Sequence, residues 1–67
     1  MIALTINGEY HRFDAPLTVA QLLERLELAG KRIALERNGE IVPRGSFPVA
    51  RLADGDRLEI VVAVGGG

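Results

Sequence analysis

Cysteine is absent from the 67 residues, and this absence narrows the chemistry open to the chain. Without a thiol there is no disulfide, no thiolate metal site and no sulfur nucleophile within the chain. The single histidine, His11, has no aspartate, cysteine or serine placed nearby for a proton relay, so we expect a rim position rather than a catalytic one. Asp54 and Asp56 flank one glycine, which falls short of a calcium loop and predicts a turn without a metal.

Excess charge of one sign and long apolar runs are also lacking. Eight basic and nine acidic side chains leave a net charge of −1, which gives no reason to expect nucleic acid or an anionic membrane as a partner. The longest fully apolar run, residues 60–64, is far shorter than the ~18 residues that suggest a membrane span. The N-terminus lacks the features of a secretory signal, so we expect a soluble, cytoplasmic protein.

The length allows a single hydrophobic core. We expect one domain at residues 1–64, followed by a flexible glycine tail at residues 65–67. A domain of about 60 residues buries only ~60% of its unfolded surface, so a deep catalytic pocket is hard to build. A hydrophobic content of 48% and only three prolines nevertheless favour a folded chain over a disordered one.

Two Asn-Gly pairs predict two tight hairpins. An alternating apolar pattern at residues 2–6 is typical of a half-buried strand, and Asn7-Gly8 turns the chain into an edge strand at residues 9–13. A third strand at residues 33–37 reaches Asn38-Gly39 and returns briefly before a proline.

The strongest local pattern predicts an amphipathic helix. Thr18 can cap its start, and Gln21 stands where the second member of a capping box belongs. Gly30 is expected to end it. The apolar stripe at helical spacing comprises Val19, Leu22, Leu23 and Leu26.

Between the second hairpin and the last strand lies an irregular stretch, residues 44–53. Three of its apolar side chains are expected to tuck under the sheet: Phe47, Val49 and Leu52. In the last strand, Leu58, Ile60 and Val62 are expected to form one face, with Arg57, Glu59 and Val61 on the other.

The order of these elements predicts an α+β fold of the β-grasp, or ubiquitin-like, type. In this roll one main helix packs on one face of a mixed sheet, with the first and last strands as parallel neighbours at its centre. The opposite sheet face has no helix to cover it.

The end of the sequence is the candidate functional segment. Branched residues pass directly into Gly65, Gly66 and Gly67, and ordering glycines costs the most backbone entropy. We therefore expect a mobile tail that a partner must grip, with the Gly67 carboxylate free of any nearby side chain. The adjacent Val61, Ala63 and Val64 fit either strand packing or a docking patch for a partner.

Taken together, these segments resemble the ThiS family, the bacterial sulfur carriers of thiamine thiazole synthesis. The similarity runs end to end, with supporting stretches at residues 18–23 and 52–60. Its most specific parts are the terminal glycines and the block Asn38-Gly39-Glu40-Ile41-Val42-Pro43-Arg44. There are two departures: Arg37 stands where an apolar residue is usual, and the tail has three glycines where two are the family minimum.

The resemblance implies a carrier rather than an enzyme. A ubiquitin-activating-type adenylyltransferase would use MgATP to join AMP to the Gly67 carboxylate, while the carrier itself binds no cofactor. Gly65 and Gly66 would thread into narrow partner sites, and Val61, Ala63 and Val64 would dock. A cysteine-persulfide donor would then leave a thiocarboxylate on Gly67, from which thiazole synthase takes sulfur.

Two other functions remain open from the sequence. One is the small-subunit type of sulfur carrier found in molybdopterin synthase, although that family tends to be longer and matches the 38–44 block less well. The other is a β-grasp interaction module that carries no sulfur. Such a module would keep its binding after loss of the glycines, whereas either carrier would lose sulfur transfer.

Overall fold

The computed structural model describes residues 1–63, which form a five-stranded sheet and one α-helix. The sheet order is β2-β1-β5-β3-β4, so the last strand is the middle one. Strands β1 and β5 are parallel neighbours, and the other pairs are antiparallel. The predicted β-grasp roll is confirmed. The elements are β1 Ile2–Ile6, β2 Glu9–Phe13, α1 Val19–Arg25, β3 Ile33–Arg37, β4 Glu40–Ile41 and β5 Arg57–Val62, with a 3-10 turn at Arg44–Ser46.

The first hairpin has the predicted edge strand and register. Asn7 and Gly8 both have positive φ, 49° and 83°, as a two-residue turn of this type requires. Ile6 therefore pairs with Glu9, and alternate residues of β2 share the face of the buried β1 side chains. The predicted pairing at the edge of the sheet is confirmed.

At the N-terminus of the helix, the backbone N–H groups of residues 18–21 all donate hydrogen bonds. Thr18 and Gln21 form the predicted capping box, with Gln21 N–H donating to Thr18 Oγ1 at 3.2 Å and Thr18 N–H to Gln21 Oε1 at 2.9 Å. The N–H groups of Val19 and Ala20 donate to carbonyls in the stretch that precedes β5. With its donors satisfied in this way, this helix end offers no free N–H groups for an anion.

The helix ends earlier than the sequence indicates. Leu26 is the C-cap, and Glu27, at φ 61°, takes the left-handed position that was expected of Gly30. Leu28 N–H donates to Leu23 O at 2.8 Å, and Glu27 N–H donates to Glu24 O at 3.1 Å. These are the two hydrogen bonds of a Schellman motif. Leu23 and Leu28 both belong to the core or pack against it, so the hydrophobic contact of the motif favours this stop over a glycine-based one.

The stretch before β5 is fixed to the helix, with one departure from prediction. Phe47 and Leu52 are buried as expected, but Val49 is 75% exposed and does not tuck under the sheet. Val49 N–H donates to Ser46 O, and the neighbouring Ala50 takes the inward position that packs against the core. The turn geometry at the end of the 3-10 segment thus shifts the buried position by one residue.

The core lies between the helix and one face of the sheet. Among the described residues it contains Ile2, Leu4, Ile6, Leu17, Val19, Leu22, Leu23, Leu35, Phe47, Leu52, Leu58 and Ile60. The other side of the sheet is called the open face; the register places on it Thr5, Tyr10, Ala34, Glu36, Ile41, Glu59 and Val61. No helix formed by residues 1–63 has the length and apolar character needed to cross a membrane.

Candidate functional site: the open face and the end of the last strand

The base of the candidate tail is the end of β5, at the centre of the sheet. Val61 lies on the open face opposite Ala34 and is 63% exposed. Ala63, also exposed, donates its N–H to Arg32 O at 2.9 Å and so extends the pairing with the β3 side by one residue. Two of the three predicted docking residues are therefore at the surface, next to the point where the tail begins.

The remaining predicted site residues lie beyond the described part of the chain. Val64, Gly65, Gly66 and Gly67 fall outside residues 1–63. Their assignment as docking, threading and attachment positions stays a prediction.

A shallow depression surrounds the exposed Val61. Its apolar lining comprises Ile33, Ala34, Val61 and Ala63, and two exposed arginines, Arg32 and Arg44, complete the lining. An apolar patch with charged groups beside it is the ordinary anatomy of a protein-binding patch. The two arginines favour a partner surface that carries acidic groups beside an apolar contact.

A second electrostatic feature of the open face is a pair of facing glutamates. Glu36 on β3 and Glu59 on β5 are direct partners in the register, and both are exposed. Within residues 1–63 the one ion pair that does not involve histidine is Arg37–Asp56, and the Glu9 carboxylate lies near His11, so neither Glu36 nor Glu59 has an ion-pair partner there. Like charges directly opposite each other weaken a sheet, and these two therefore do not serve its stability.

The start of β5 is fixed by a buried carboxylate, Asp56. It accepts three hydrogen bonds: from Arg37 Nε at 2.8 Å, Asn38 Nδ2 at 3.0 Å and Ala53 N–H at 2.8 Å. Burial alone would raise its pKa, but these donors and the charge of Arg37 outweigh that effect and hold the pKa of Asp56 below the usual 3.8. Arg37, which stands where an apolar residue is usual in the family that the sequence resembles, thus has a structural role in holding Asp56.

The two Asn-Gly turns hold β5 from opposite sides. Asn7 Oδ1 accepts from Ile60 N–H at 2.7 Å, and Asn7 Nδ2 donates to Ile60 O at 3.0 Å. In the other turn, Asn38 Oδ1 accepts from Arg57 N–H at 2.9 Å. Sequence reasoning identified both turns but missed these side-chain bonds, because the Asn7 partner is 53 residues away.

The residues judged non-catalytic occupy structural positions. His11 lies at the half-buried rim of β2, 3.7 Å from a Glu9 carboxylate oxygen and stacked on Phe13 with ring centroids 6.5 Å apart. Asp54 Oδ1 accepts the N–H of Ala3 at 2.7 Å, within the predicted turn. In residues 1–63 no three His, Cys, Asp or Glu side chains come together as a metal site.

Comparison with known proteins gives the family. The model of the ThiS family matches residues 4–67, nearly the whole chain. The chain belongs to the ThiS family. The crystal structure of the thiamine biosynthesis protein ThiS from Geobacter metallireducens has the same fold, with a TM-score of 0.83 and 35% identity over 98% of this chain and 100% of that one.

Relatives of this ThiS-family chain include one protein of about the same length and two that are much longer. The sulfur carrier protein ThiS of Bacillus subtilis is 40% identical over 65 residues, which cover 96% of this chain and 98% of that protein. The thiazole synthase of Paramagnetospirillum magneticum is 48% identical over 64 residues, which cover 96% of this chain. The chain spans only about a fifth (20%) of that synthase, and 19% of the one from Magnetococcus marinus.

Proposed function

We propose that this chain is a sulfur carrier of thiamine biosynthesis that works as a protein co-substrate and not as an enzyme. The observation that carries the proposal is the end-to-end family match, which extends through Gly67. The match to a carrier over nearly the full length of both chains supports it. We place the reactions in the cytoplasm.

The first step activates the terminal carboxylate. An oxygen of the Gly67 carboxylate attacks the α-phosphate of MgATP in the site of a ubiquitin-activating-type adenylyltransferase, and pyrophosphate leaves. A carboxylate is a poor acyl electrophile, and the acyl adenylate supplies the leaving group that it lacks. Glycines at 65 and 66 suit this step because a backbone without Cβ can enter a narrow channel.

The second step loads sulfur. The terminal sulfur of a cysteine persulfide attacks the Gly67 carbonyl carbon, and AMP leaves. Two thiols then reduce the acyl disulfide: the first frees the thiocarboxylate and forms a mixed disulfide with the donor cysteine, and the second releases that cysteine as the two thiols become joined in a disulfide. The sulfur so carried is soft and nucleophilic, so the carrier needs no cysteine of its own, in agreement with its composition.

The third step delivers sulfur to a thiazole synthase. In two organisms a protein of that name contains a segment similar to more than nine tenths of this chain (96% and 92%), which supports an association between the domain and the enzyme. Val61, Ala63 and Val64 form the proposed docking patch. If extended, residues 64–67 would span roughly 14 Å at ~3.5 Å per residue, which is enough to enter a partner's active site. Docking of the folded domain would raise the effective concentration of the terminus in that site.

Mass spectrometry of the protein from its own cells tests the proposal. We expect a species heavier by the exchange of one oxygen for one sulfur, located in the last peptide. Deletion of Gly67 should leave the fold intact and slow adenylation greatly, because Gly66 must then act one residue short. Gly66→Val should block transfer by filling the channel.

A matched control for the tail variant is Gly45→Val. Gly45 has a φ outside the left-handed region and open space around an added Cβ, so this variant should fold and load normally. If binding is unchanged after the glycines are removed and the unaltered chain never acquires sulfur, the chain is instead an interaction module, and the carrier proposal is wrong.

A further inference from the structure

The side chain of Asn7 continues β1 after the main chain has left the sheet. Thr5 N–H donates to Asp56 O at 3.0 Å, and Asn7 N–H donates to Leu58 O at 2.9 Å, as in a parallel ladder. Asn7 then turns away with a φ of 49°. The next residue of β5 facing that side is Ile60, which would have no main-chain partner from β1.

The Asn7 carboxamide fills this gap. It offers one acceptor and one donor, as a peptide group does, and Ile60 engages both at 2.7 and 3.0 Å. Only one orientation of the amide satisfies both bonds, because the reverse would set N–H against N–H and O against O. The carboxamide therefore acts as a further residue of the ladder.

The position of this bond matters because Ile60 directly precedes the candidate docking patch. On the other side of β5, β3 pairs with Val61 and Val62 and reaches Ala63 through Arg32. Within residues 1–63, Ile60 is the last residue of β5 whose main chain is bonded on the β1 side. Asn7 thus determines the position up to which β5 is hydrogen-bonded on both its β1 side and its β3 side.

We infer that Asn7 is a positioning residue for the carrier terminus: through Ile60 it holds the end of β5 and so fixes the position of Val61 and Ala63, which precede the tail in the sequence. This inference rests on the proposed function. If the bond is lost, the end of β5 can leave β1, and a partner must order it on binding. The result is a higher KM for the carrier with little change in kcat.

Asn38 provides a matched control in the other Asn-Gly turn. Its side chain also makes two hydrogen bonds, one of them to a β5 amide, but that amide belongs to Arg57, at the start of the strand instead of near its end. Asn7→Gly and Asn38→Gly each convert the turn to Gly-Gly, which tolerates the positive φ. Each therefore removes two side-chain bonds and keeps the turn.

The experiment compares the two variants by amide hydrogen exchange and by adenylation kinetics with MgATP and a ubiquitin-activating-type adenylyltransferase. Carrier concentrations are corrected for the folded fraction of each variant. For Asn7→Gly we expect exchange at Ile60 and its C-terminal neighbours to rise about tenfold more than in the rest of the sheet. We also expect KM to rise roughly threefold to tenfold, while Asn38→Gly stays within about twofold of the wild type.

Three results decide the inference. Equal kinetic losses in both variants would reduce Asn7 to a general structural role, and so would a uniform rise in exchange across the sheet. A change in kcat without one in KM would also overturn positioning. If the wild-type chain is not adenylated at all, the proposed function fails, and the exchange comparison alone decides whether Asn7 anchors the end of β5.

Discussion

The two faces of the sheet differ in the exposure of their apolar side chains: those on the face covered by the helix are buried, and those on the open face lie at the surface. On the covered face, Leu4, Leu35 and Leu58 are at most 2% exposed. On the open face, Val61 and Ile41 are 63% and 73% exposed. Leaving such a side chain in water forgoes roughly 1.5–3 kcal/mol, a large sum for a domain of this size.

This difference separates residues that hold the fold from residues available to a partner. The side chains of the covered face pack with the helix in the hydrophobic core, and burial of this core stabilises the small domain. The open face keeps exposed apolar groups and a facing glutamate pair, both of which cost stability. We therefore expect substitutions on the covered face to act on folding and those on the open face to act on docking.

The largest expected effect on stability comes from the covered face. Leu22, on the helix, is fully buried, so Leu22→Ala should lower the free energy of unfolding by about 2–5 kcal/mol. Val49→Ala is the control, because that side chain is mostly in water and should change stability by less than about 0.5 kcal/mol. Urea unfolding measures both. Similar losses in the two variants would contradict the placement of Val49 at the surface.

An intermediate effect is expected at Asp56, which joins the turns to β5. Asp56→Asn removes a charged acceptor of three hydrogen bonds, so the free energy of unfolding at neutral pH should fall by about 1–3 kcal/mol. Asp54→Asn is the control in the same turn, since Asp54 is exposed and accepts one bond.

The pH dependence of that difference is a further check on Asp56. Its pKa is lower in the folded chain than the ordinary 3.8, so folding favours the ionised form. Its contribution is therefore complete above pH 3.8 and is lost as the pH falls through the lowered folded-state pKa. The gap between wild type and Asp56→Asn should narrow in that acid range; a gap that narrows near neutral pH would point to another group.

The smallest effect on stability is expected at Val61. Val61→Lys should change the free energy of unfolding by less than about 0.5 kcal/mol, because the side chain is largely exposed. It should nevertheless weaken binding to the activating enzyme or to thiazole synthase, measured by titration calorimetry. Val49→Lys makes the same chemical change outside the sheet and should bind normally. Unchanged affinity in Val61→Lys would remove Val61 from the docking patch.

Much of the fold follows from local patterns that the sequence displays directly. The capping box at Thr18 and the positive φ of Asn7 and Asn38 depend on near neighbours, so they can be read without tertiary contacts. The alternation along β5 likewise put Val61 on the face opposite Leu58 and Ile60, as observed, but left open whether it would be packed or exposed. For these elements local preference and the packed structure agree.

The features that were missed depend on distant contacts. The helix stops at Leu26 because Leu28 folds back toward the core, which outweighs the cost of a left-handed Glu27. The burial of Asp56 depends on Arg37, 19 residues earlier in the chain. No local rule links these positions. The attachment role of Gly67 came from resemblance alone and stays a prediction.

The central place of β5 has a consequence for how the domain is made. Strands β1 and β3 do not pair with each other; each pairs with β5, the last strand of the domain to be synthesised. Until β5 emerges from the ribosome, the nascent chain has two separate hairpins and an uncovered helix. A product truncated before Arg57 cannot close the sheet, so incomplete chains should be open to proteolysis.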